Sequence, residues 1–424
     1  MDNSYKPRVI DKVLNHKLRG KGAIVIEGPK WCGKTTTAEQ FAKNIIYINS
    51  PEEINYYKQL VKISPKEILK GEKPLLLDEW QNIPSIWDSI RFEIDHTKQM
   101  GQFILTGSSI PVDMSEVMHS GTGRFGWLKM RTMSLWESGD SNGMISLKTI
   151  FDNEEITAQS DKTIEDIAYV TCRGGWPVAV DLPREVALDQ AFDYVDAIVN
   201  RDIGLSDGKI RDNTRVRRLM RSLARHQGGQ VSFAKISEDL KENEKTAIHD
   251  DTVASYIRAL ERIFVIEDVE AWNPNLRSST AIRTLDTRYF SDPSIATASL
   301  GLGPQDLIKD LKTFGFIFET LCIRDLRVYA EPLNGKIYHY RDKNGLECDA
   351  ICHLRDGRYG LIEIKLGGEL LINEGIKNLL KLKSGLDFKK MPQPSFMMII
   401  VGVGKYAYKN EDGIYIVPIS CLKD

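Results

Sequence analysis

Gly28-Pro29-Lys30-Trp31-Cys32-Gly33-Lys34-Thr35 has the spacing G-x-x-x-x-G-K-[ST], and these residue types at this spacing hold a triphosphate. Glycine frees the backbone to turn successive N–H groups toward an anion, and a helix starting near Gly33 would add its positive end. Lys34 would reach the β- and γ-phosphates, Thr35 would hold Mg²⁺ through its hydroxyl, and Thr36 would extend the seat. Downstream, Pro74-Leu75-Leu76-Leu77-Asp78-Glu79 delivers two carboxylates at the end of an apolar run. Asp78 would complete the Mg²⁺ shell and Glu79 would polarise the attacking water; the alternative is an acidic pair capping the next helix.

A further set lies near the other end of the chain. Leu346-Glu347-Cys348-Asp349-Ala350-Ile351-Cys352 and Gly360-Leu361-Ile362-Glu363-Ile364-Lys365 flank a turn signal at Asp356-Gly357. A hairpin centred there sets Asp349 opposite Glu363, with Cβ atoms ~4.5–5.5 Å apart, and puts Lys365 on the same face. Two opposed carboxylates repel unless a cation lies between them. With a lysine beside them they suit metal-assisted phosphodiester hydrolysis. Asp349 and Glu363 would bind Mg²⁺ or Mn²⁺, Lys365 would orient the water or meet developing charge, and Glu319 on a nearby helix would add a third carboxylate. The alternative is an exposed polar sheet face with cross-strand ion pairs, and a bulge would slip the register.

The elements that must position these groups follow from apolar patterning. Ala23–Glu27 reads as a strand ahead of the phosphate loop and Thr36 to Lys43 as a helix after it. With Leu75–Asp78 and the run Gln102 to Ser109, this describes a buried parallel sheet carrying its acids on the carboxyl edge. Thr106 and Ser108 close the last run, where either would cap the next helix. Arg124 follows, on the expected triphosphate side, and would neutralise γ-phosphate charge in its own subunit or a neighbour's; a surface arginine is the alternative. Residues 160 to 210 read as helical, punctuated by Arg173-Gly174-Gly175-Trp176-Pro177, and Arg201-Asp202 closes them as a local ion pair or a contact to the nucleotide face.

Residues 213 to 270 have the rhythm of a winged helix-turn-helix. An arginine-rich helix (Arg215, Arg217, Arg218, Arg221, Arg225) precedes helices over 233–240 and 249–263, and Phe264 to Asp268 reads as a wing strand. Asp250, Asp251 and Glu261 would repel phosphate, so nucleic-acid binding and a purely structural role both fit. The expected domains are 1–155 for the P-loop ATPase, 156–212 for a helical lid or linker, 213–275 for the winged helix and 276–424 for the region of the second site.

The 424 residues are 42% hydrophobic and 27% charged with a net charge of −2, so any nucleic-acid site depends on local charge. Six scattered cysteines without a C-x-x-C pair favour reduced thiols over a disulfide framework or zinc site. With no signal peptide and no membrane span, the expected location is the cytoplasm.

Taken together, GPKWCGKTT, LLLDEWQ, FILTGSS, GTGRF with SLWE, CRGGWP, NRDI, GFIFE, and ECDAI with LIEIK resemble one family. It is that of prokaryotic AAA-like ATP-binding proteins with a DUF4143 C-terminal region. The resemblance implies an α/β chain: a P-loop sheet, a helical and winged-helix middle, and a C-terminal α/β domain similar to PD-(D/E)xK nucleases. It implies that Thr106 or Ser108 senses the γ-phosphate, and that Asp349, Glu363 and Lys365 take the nuclease D…ExK positions with Glu319 as helix acid. The implied cofactors are ATP and Mg²⁺, with Mg²⁺ or Mn²⁺ at the second site. The expected partners are DNA or another nucleic acid, or a protein to be remodelled, with homo-oligomers and no membrane. A catalytically silent nuclease fold serving an ATP-dependent switch is the alternative.

Overall fold

The computed structural model describes residues 5–111, 119–205, 208–241, 249–273, 285–342 and 344–424. The chain forms two compact units, one from Met1–Thr132, Arg201–Ile210 and Arg258–Val265, the other from Met133–Asn200, Arg211–Ile257 and Ile266–Asp424. Among the described residues no helix is long and apolar enough to cross a membrane.

In the first unit, β1 (Ala23–Glu27), β2 (Asn44–Tyr47), β3 (Leu75–Asp78), β4 (Phe103–Gly107) and β5 (Phe125–Lys129) form one parallel sheet in the order β2-β3-β4-β1-β5. Its strands read as unbroken apolar runs because both faces are covered. Ala23, Val25, Leu75, Leu77, Phe103 and Leu105 pack with Trp80, Trp87 and Ile90 on one side. The alternate residues Ile24, Ile26, Leu76 and Ile104 pack with Leu14, Ala38 and Leu128 on the other. Parallel pairing aligns Glu27 with Gly107 and Asp78 with Thr106, so the chain leaves β1, β3 and β4 at one edge. The helix after the phosphate loop spans Lys34–Glu39 and is shorter than its pattern suggests. Lys43 already donates its N–H to Pro74 O, which draws the chain into β2.

In the second unit, helices Ile164–Arg173, Arg184–Ala197, Asn213–Arg225, Phe233–Lys241, Pro293–Leu300 and Leu311–Ala330 accompany a mixed sheet. Its strands are β7 (Ala158–Gln159), β8 (Gly335–Arg341), β9 (Glu347–Leu354), β10 (Tyr359–Lys365), β11 (Phe396–Val401), β12 (Tyr406–Lys409) and β13 (Tyr415–Pro418), in the order β7-β12-β13-β11-β10-β9-β8. A separate parallel pair joins β6 (Ile145–Ser146) to β14 (Leu422–Lys423). The expected wing strand over 264–268 does not form a ladder. Phe264 takes a left-handed φ of 58°, and Ile266 and Val269 make only isolated bridges to Phe290 and Thr287.

A buried charge network sets the geometry of the second unit's helices. Arg324, 3% exposed, donates to Asp292 Oδ2 at 3.1 Å and Asp325 Oδ1 at 2.8 Å. Asp292 also accepts the Gly175 N–H at 3.0 Å, and Asp325 the Leu135 N–H at 3.0 Å. The Arg-Gly-Gly-Trp-Pro punctuation is thereby explained: a Cβ on Gly175 would lie 2.1 Å from Met133 O, and Trp176 Nε1 donates to Ser294 Oγ at 2.9 Å. Replacing Arg324 with Met leaves two buried carboxylates without their cation and should cost about 3–5 kcal/mol. Denaturant unfolding followed by circular dichroism measures this; a midpoint equal to the wild type's would remove the network from this role.

Candidate active sites

The phosphate loop is shaped by close approach. A Cβ on Gly28 would lie 2.1 Å from Met130 O, and Gly33 enters the helix with φ 99° and ψ 18°. Trp31 also sits at positive φ, 64°, with its side chain 59% exposed. Lys34 is buried and donates to Gly28 O at 2.9 Å and Pro29 O at 2.8 Å, its ammonium lying over the loop it belongs to. Cys32 is buried against the strand end, while Thr36 is exposed on the first helical turn.

Thr35 Oγ1 donates to Asp78 Oδ1 at 2.7 Å, and Thr106 Oγ1 donates to the same oxygen at 2.6 Å. Burial raises the Asp78 carboxyl above its usual range, and these two hydroxyls oppose the rise. Glu79 follows in the left-handed region, φ 59°, a conformation costly for a residue with a Cβ. Its Oε2 accepts from Ser108 Oγ at 2.7 Å and from Gln81 Nε2. Thr106 and Ser108 were expected to face a γ-phosphate; in the structure each is bonded to one of the two acids.

Two contacts escaped sequence reasoning, and a third was only an alternative there. Arg8, 6% exposed, donates to Cys32 O and Arg131 O, each at 2.8 Å, pinning the loop from a segment with no motif. Gln81, in LLLDEWQ, has a buried Oε1 without a hydrogen-bond partner beside Glu79. Lys30 Nζ donates to Asp202 Oδ1 at 2.7 Å, bringing the Arg201-Asp202 pair onto the loop. Asp202 ends a π-helical turn, Ile198–Asp202.

Arg124 is not on the triphosphate side. β5 runs parallel to β1 with Phe125 beside Ala23, so the residue before Phe125 lies at the amino edge, while the loop leaves β1 after Glu27. There its guanidinium bonds Asp95 Oδ1 at 2.8 Å and Thr122 O at 3.0 Å. The in-subunit role expected for Arg124 therefore fails on strand direction.

The second site lies wholly in the second unit. The β9–β10 ladder pairs His353 with Tyr359 and Ala350 with Ile362, a register that sets 349 against 363. Asp349 Oδ2 accepts the Ile364 N–H at 2.7 Å and Lys365 Nζ at 3.3 Å. Lys365 Nζ also pairs with Glu363 Oε2 at 2.6 Å, and Asn378 Nδ2 donates to Glu363 Oε1 at 3.3 Å. Burial, then the Asp349 charge, pushes the Glu363 carboxyl up to about 8. Glu319 accepts from Tyr289 OH at 2.5 Å and is raised well above the usual carboxylate range, by desolvation first and by Asp349 next. Among the described residues no three His, Cys, Asp or Glu side chains close on a common metal position; the Lys365 ammonium stands between two of the acids. Glu319, Asp349 and Lys365 line a cavity of about 740 Å³.

Residues 20–138 match the AAA domain family, and the first unit accordingly carries an AAA-like ATPase domain. Residues 164–306 and 314–422 match two domains of unknown function, DUF8612 and DUF4143. Uncharacterized proteins of Mycobacterium bovis and Mycobacterium tuberculosis are each 21% identical to the chain over 369 residues, covering 87% of it and 75% of the relative. A solved Walker-type ATPase of Pyrococcus abyssi is 14% identical with a TM-score of 0.43, covering 70% of this chain and 97% of its own.

Asp202 pairs with the Lys30 ammonium, which on the sequence expectation also serves a bound phosphate. Asp202→Asn should lower the KM for ATP by up to about fivefold, the range an ion pair of about 0.2–1 kcal/mol allows. Steady-state kinetics read it; an unchanged KM, or the same shift in a Lys30→Ala background, would return the pair to simple surface packing.

Proposed function

We propose that the protein hydrolyses ATP with Mg²⁺ in its first unit and couples that cycle to a metal-dependent, nuclease-like site in its second. The ATPase part is carried by one observation: the Thr35 hydroxyl and the Asp78 carboxylate meet at 2.7 Å beside the phosphate loop. That is a hard-oxygen pair suited to Mg²⁺, and Thr35 and Asp78 would hold the ion. Bound there, Mg²⁺ supplies charge neutralisation on the phosphates. Gly28 to Thr36 would bind the triphosphate, Lys34 would lie along it, and Glu79, steadied by Ser108 and Gln81, would take a proton from the attacking water. Arg124 can serve only the nucleotide of a neighbouring subunit.

The nuclease-like part is supported by the Asp349, Glu363 and Lys365 cluster, two carboxyl groups and an ammonium brought together beside a cavity. Asp349 and Glu363 would hold Mg²⁺ or Mn²⁺ with Glu319 beside them, and Lys365 would orient water or meet developing charge. The arginine-rich helix Asn213–Arg225 would bind DNA or another nucleic acid, although Arg217 is already paired with Asp196 at 2.7 Å. The second reading, a switch that remodels a protein partner and keeps a silent nuclease fold, is favoured by the lysine standing where a metal would sit.

Lys34→Ala should weaken ATP binding, whereas Glu79→Gln should bind ATP and fail to turn it over. Nucleotide titration beside a phosphate-release assay separates the two; equal loss of binding in both would end this division of roles. For the second site, calorimetry on ATP-free protein should detect Mn²⁺ binding that Asp349→Asn abolishes. Absence of metal binding together with absence of cleavage of any nucleic acid would move the remodelling reading to first place.

A further inference from the structure

The cavity that exposes Glu319, Asp349 and Lys365 has features that the acids do not explain. Its volume, about 740 Å³, lies in the range of pockets that enclose a small molecule or cofactor, roughly 300–1,000 Å³. It is a half-open cavity with room for one nucleotide. Its wall includes Phe316 and Leu371, exposed by 45% and 41%; Phe316 belongs to a helix most of whose other apolar residues are buried. An exposed aromatic ring at the wall of a cavity that also holds charged groups is a stacking surface.

The same wall contains the start of a helix. β10 ends at Lys365, and Gly367-Gly368 turns the chain directly into the 17-residue helix Glu369–Gly385. Gly368 takes φ 90° and supplies no side-chain cap, and a Cβ there would meet nothing within 4 Å. The first intrahelical bond runs from Ile372 N–H to Gly368 O, so the N–H groups of residues 369–371 precede it. Such a terminus attracts anions, and its Gly367, Gly368 and Leu371 border the cavity that Lys365 also lines.

We infer that this chamber seats an unpaired nucleotide of a nucleic-acid strand, its base against Phe316 and its phosphate at the start of helix Glu369–Gly385, beside the Asp349–Lys365 cluster. The inference deepens the nuclease-like reading and rests on it for the chemistry, but not for binding. A duplex would have to extrude a nucleotide and lose its stacking to enter, whereas a single strand or a frayed end enters without that cost. The apolar wall contacts a base face of any sequence, so selectivity is for strandedness rather than for sequence.

Fluorescence anisotropy tests this on the full chain in EDTA, where cleavage is suppressed. The probes are a labelled 12-nucleotide DNA strand, its ribonucleotide counterpart and the blunt DNA duplex of the same sequence. At least tenfold tighter binding of a single strand than of the duplex is expected, and whichever sugar is preferred names the source of the strand. Phe316→Ala should weaken single-strand binding by fivefold or more, the loss of one stacking contact, and Leu371→Glu should weaken it by charge repulsion. Both positions are solvent-exposed, and matched thermal melts establish that each variant is folded. Duplex binding as tight as single-strand binding, or single-strand binding unmoved by both variants, overturns the inference. Single-strand binding without cleavage in Mn²⁺ upholds it while sinking the nuclease-like reading; cleavage of duplex without preference for single strands does the reverse.

Discussion

The first unit depends on the convergence of two hydroxyls on one buried carboxylate. Asp78 is 4% exposed at the end of a strand with apolar cover on both faces, a place where an ionised acid is disfavoured. Thr35 and Thr106 donate to it from the phosphate-loop helix and from β4, which locks three separate pieces of chain to one oxygen. Such bonds to the ionised form offset desolvation and keep the acid fit to receive a cation. The parallel order makes it possible, since β4 lies between β1 and β3 and carries Thr106 beside Asp78.

Glu79 is held in a different way. Its backbone is left-handed, so its side chain departs from the alternation of β3 and turns to Ser108 and Gln81. Strain of this kind persists only where neighbours over-determine it, and the Ser108 and Gln81 bonds supply that restraint. The second unit uses ionic rather than hydroxyl restraint. Arg324 neutralises Asp292 and Asp325, and Lys365 neutralises Asp349 and Glu363. The first set accepts backbone N–H groups from Gly175 and Leu135 and is wholly buried; the second borders a cavity. Contact with a cavity sets the candidate site apart from the structural network.

What the sequence made legible was local. The phosphate loop is contiguous, and its strand–loop–helix context follows from periodicity alone. The register that sets Asp349 against Glu363 followed from Asp356-Gly357, because a hairpin turn fixes pairing over the next few residues. Arg8 holding Cys32 O was not derivable, since it joins residues 24 positions apart without a pattern to announce it, and Lys30 as the partner of Asp202, 172 positions on, was not either, although contact of Arg201-Asp202 with the nucleotide face was one of two readings. Arg124 was misplaced for a related reason. Its distance along the chain from β4 is visible in sequence, but which edge of the sheet it reaches depends on the direction of β5, and parallel pairing sends it to the amino edge. Of the expected wing strand, the described residues keep isolated antiparallel bridges, Ile266 to Phe290 and Val269 to Thr287, which begin two residues after the positive φ of Phe264.

The two acidic sites differ in what a cation would have to displace. At Asp78 the competing donors are neutral hydroxyls, and one of them, on Thr35, is itself an oxygen ligand that can turn its lone pairs to an incoming ion. Binding there exchanges one set of oxygen contacts for another. At Asp349 and Glu363 the competing donor is an ammonium, and a divalent ion must share the acids with it or move it aside. The first site is therefore poised for its cation by geometry alone. The second is balanced by its own lysine, which makes occupancy there sensitive to whatever else enters the chamber, a phosphate drawing on Lys365 above all.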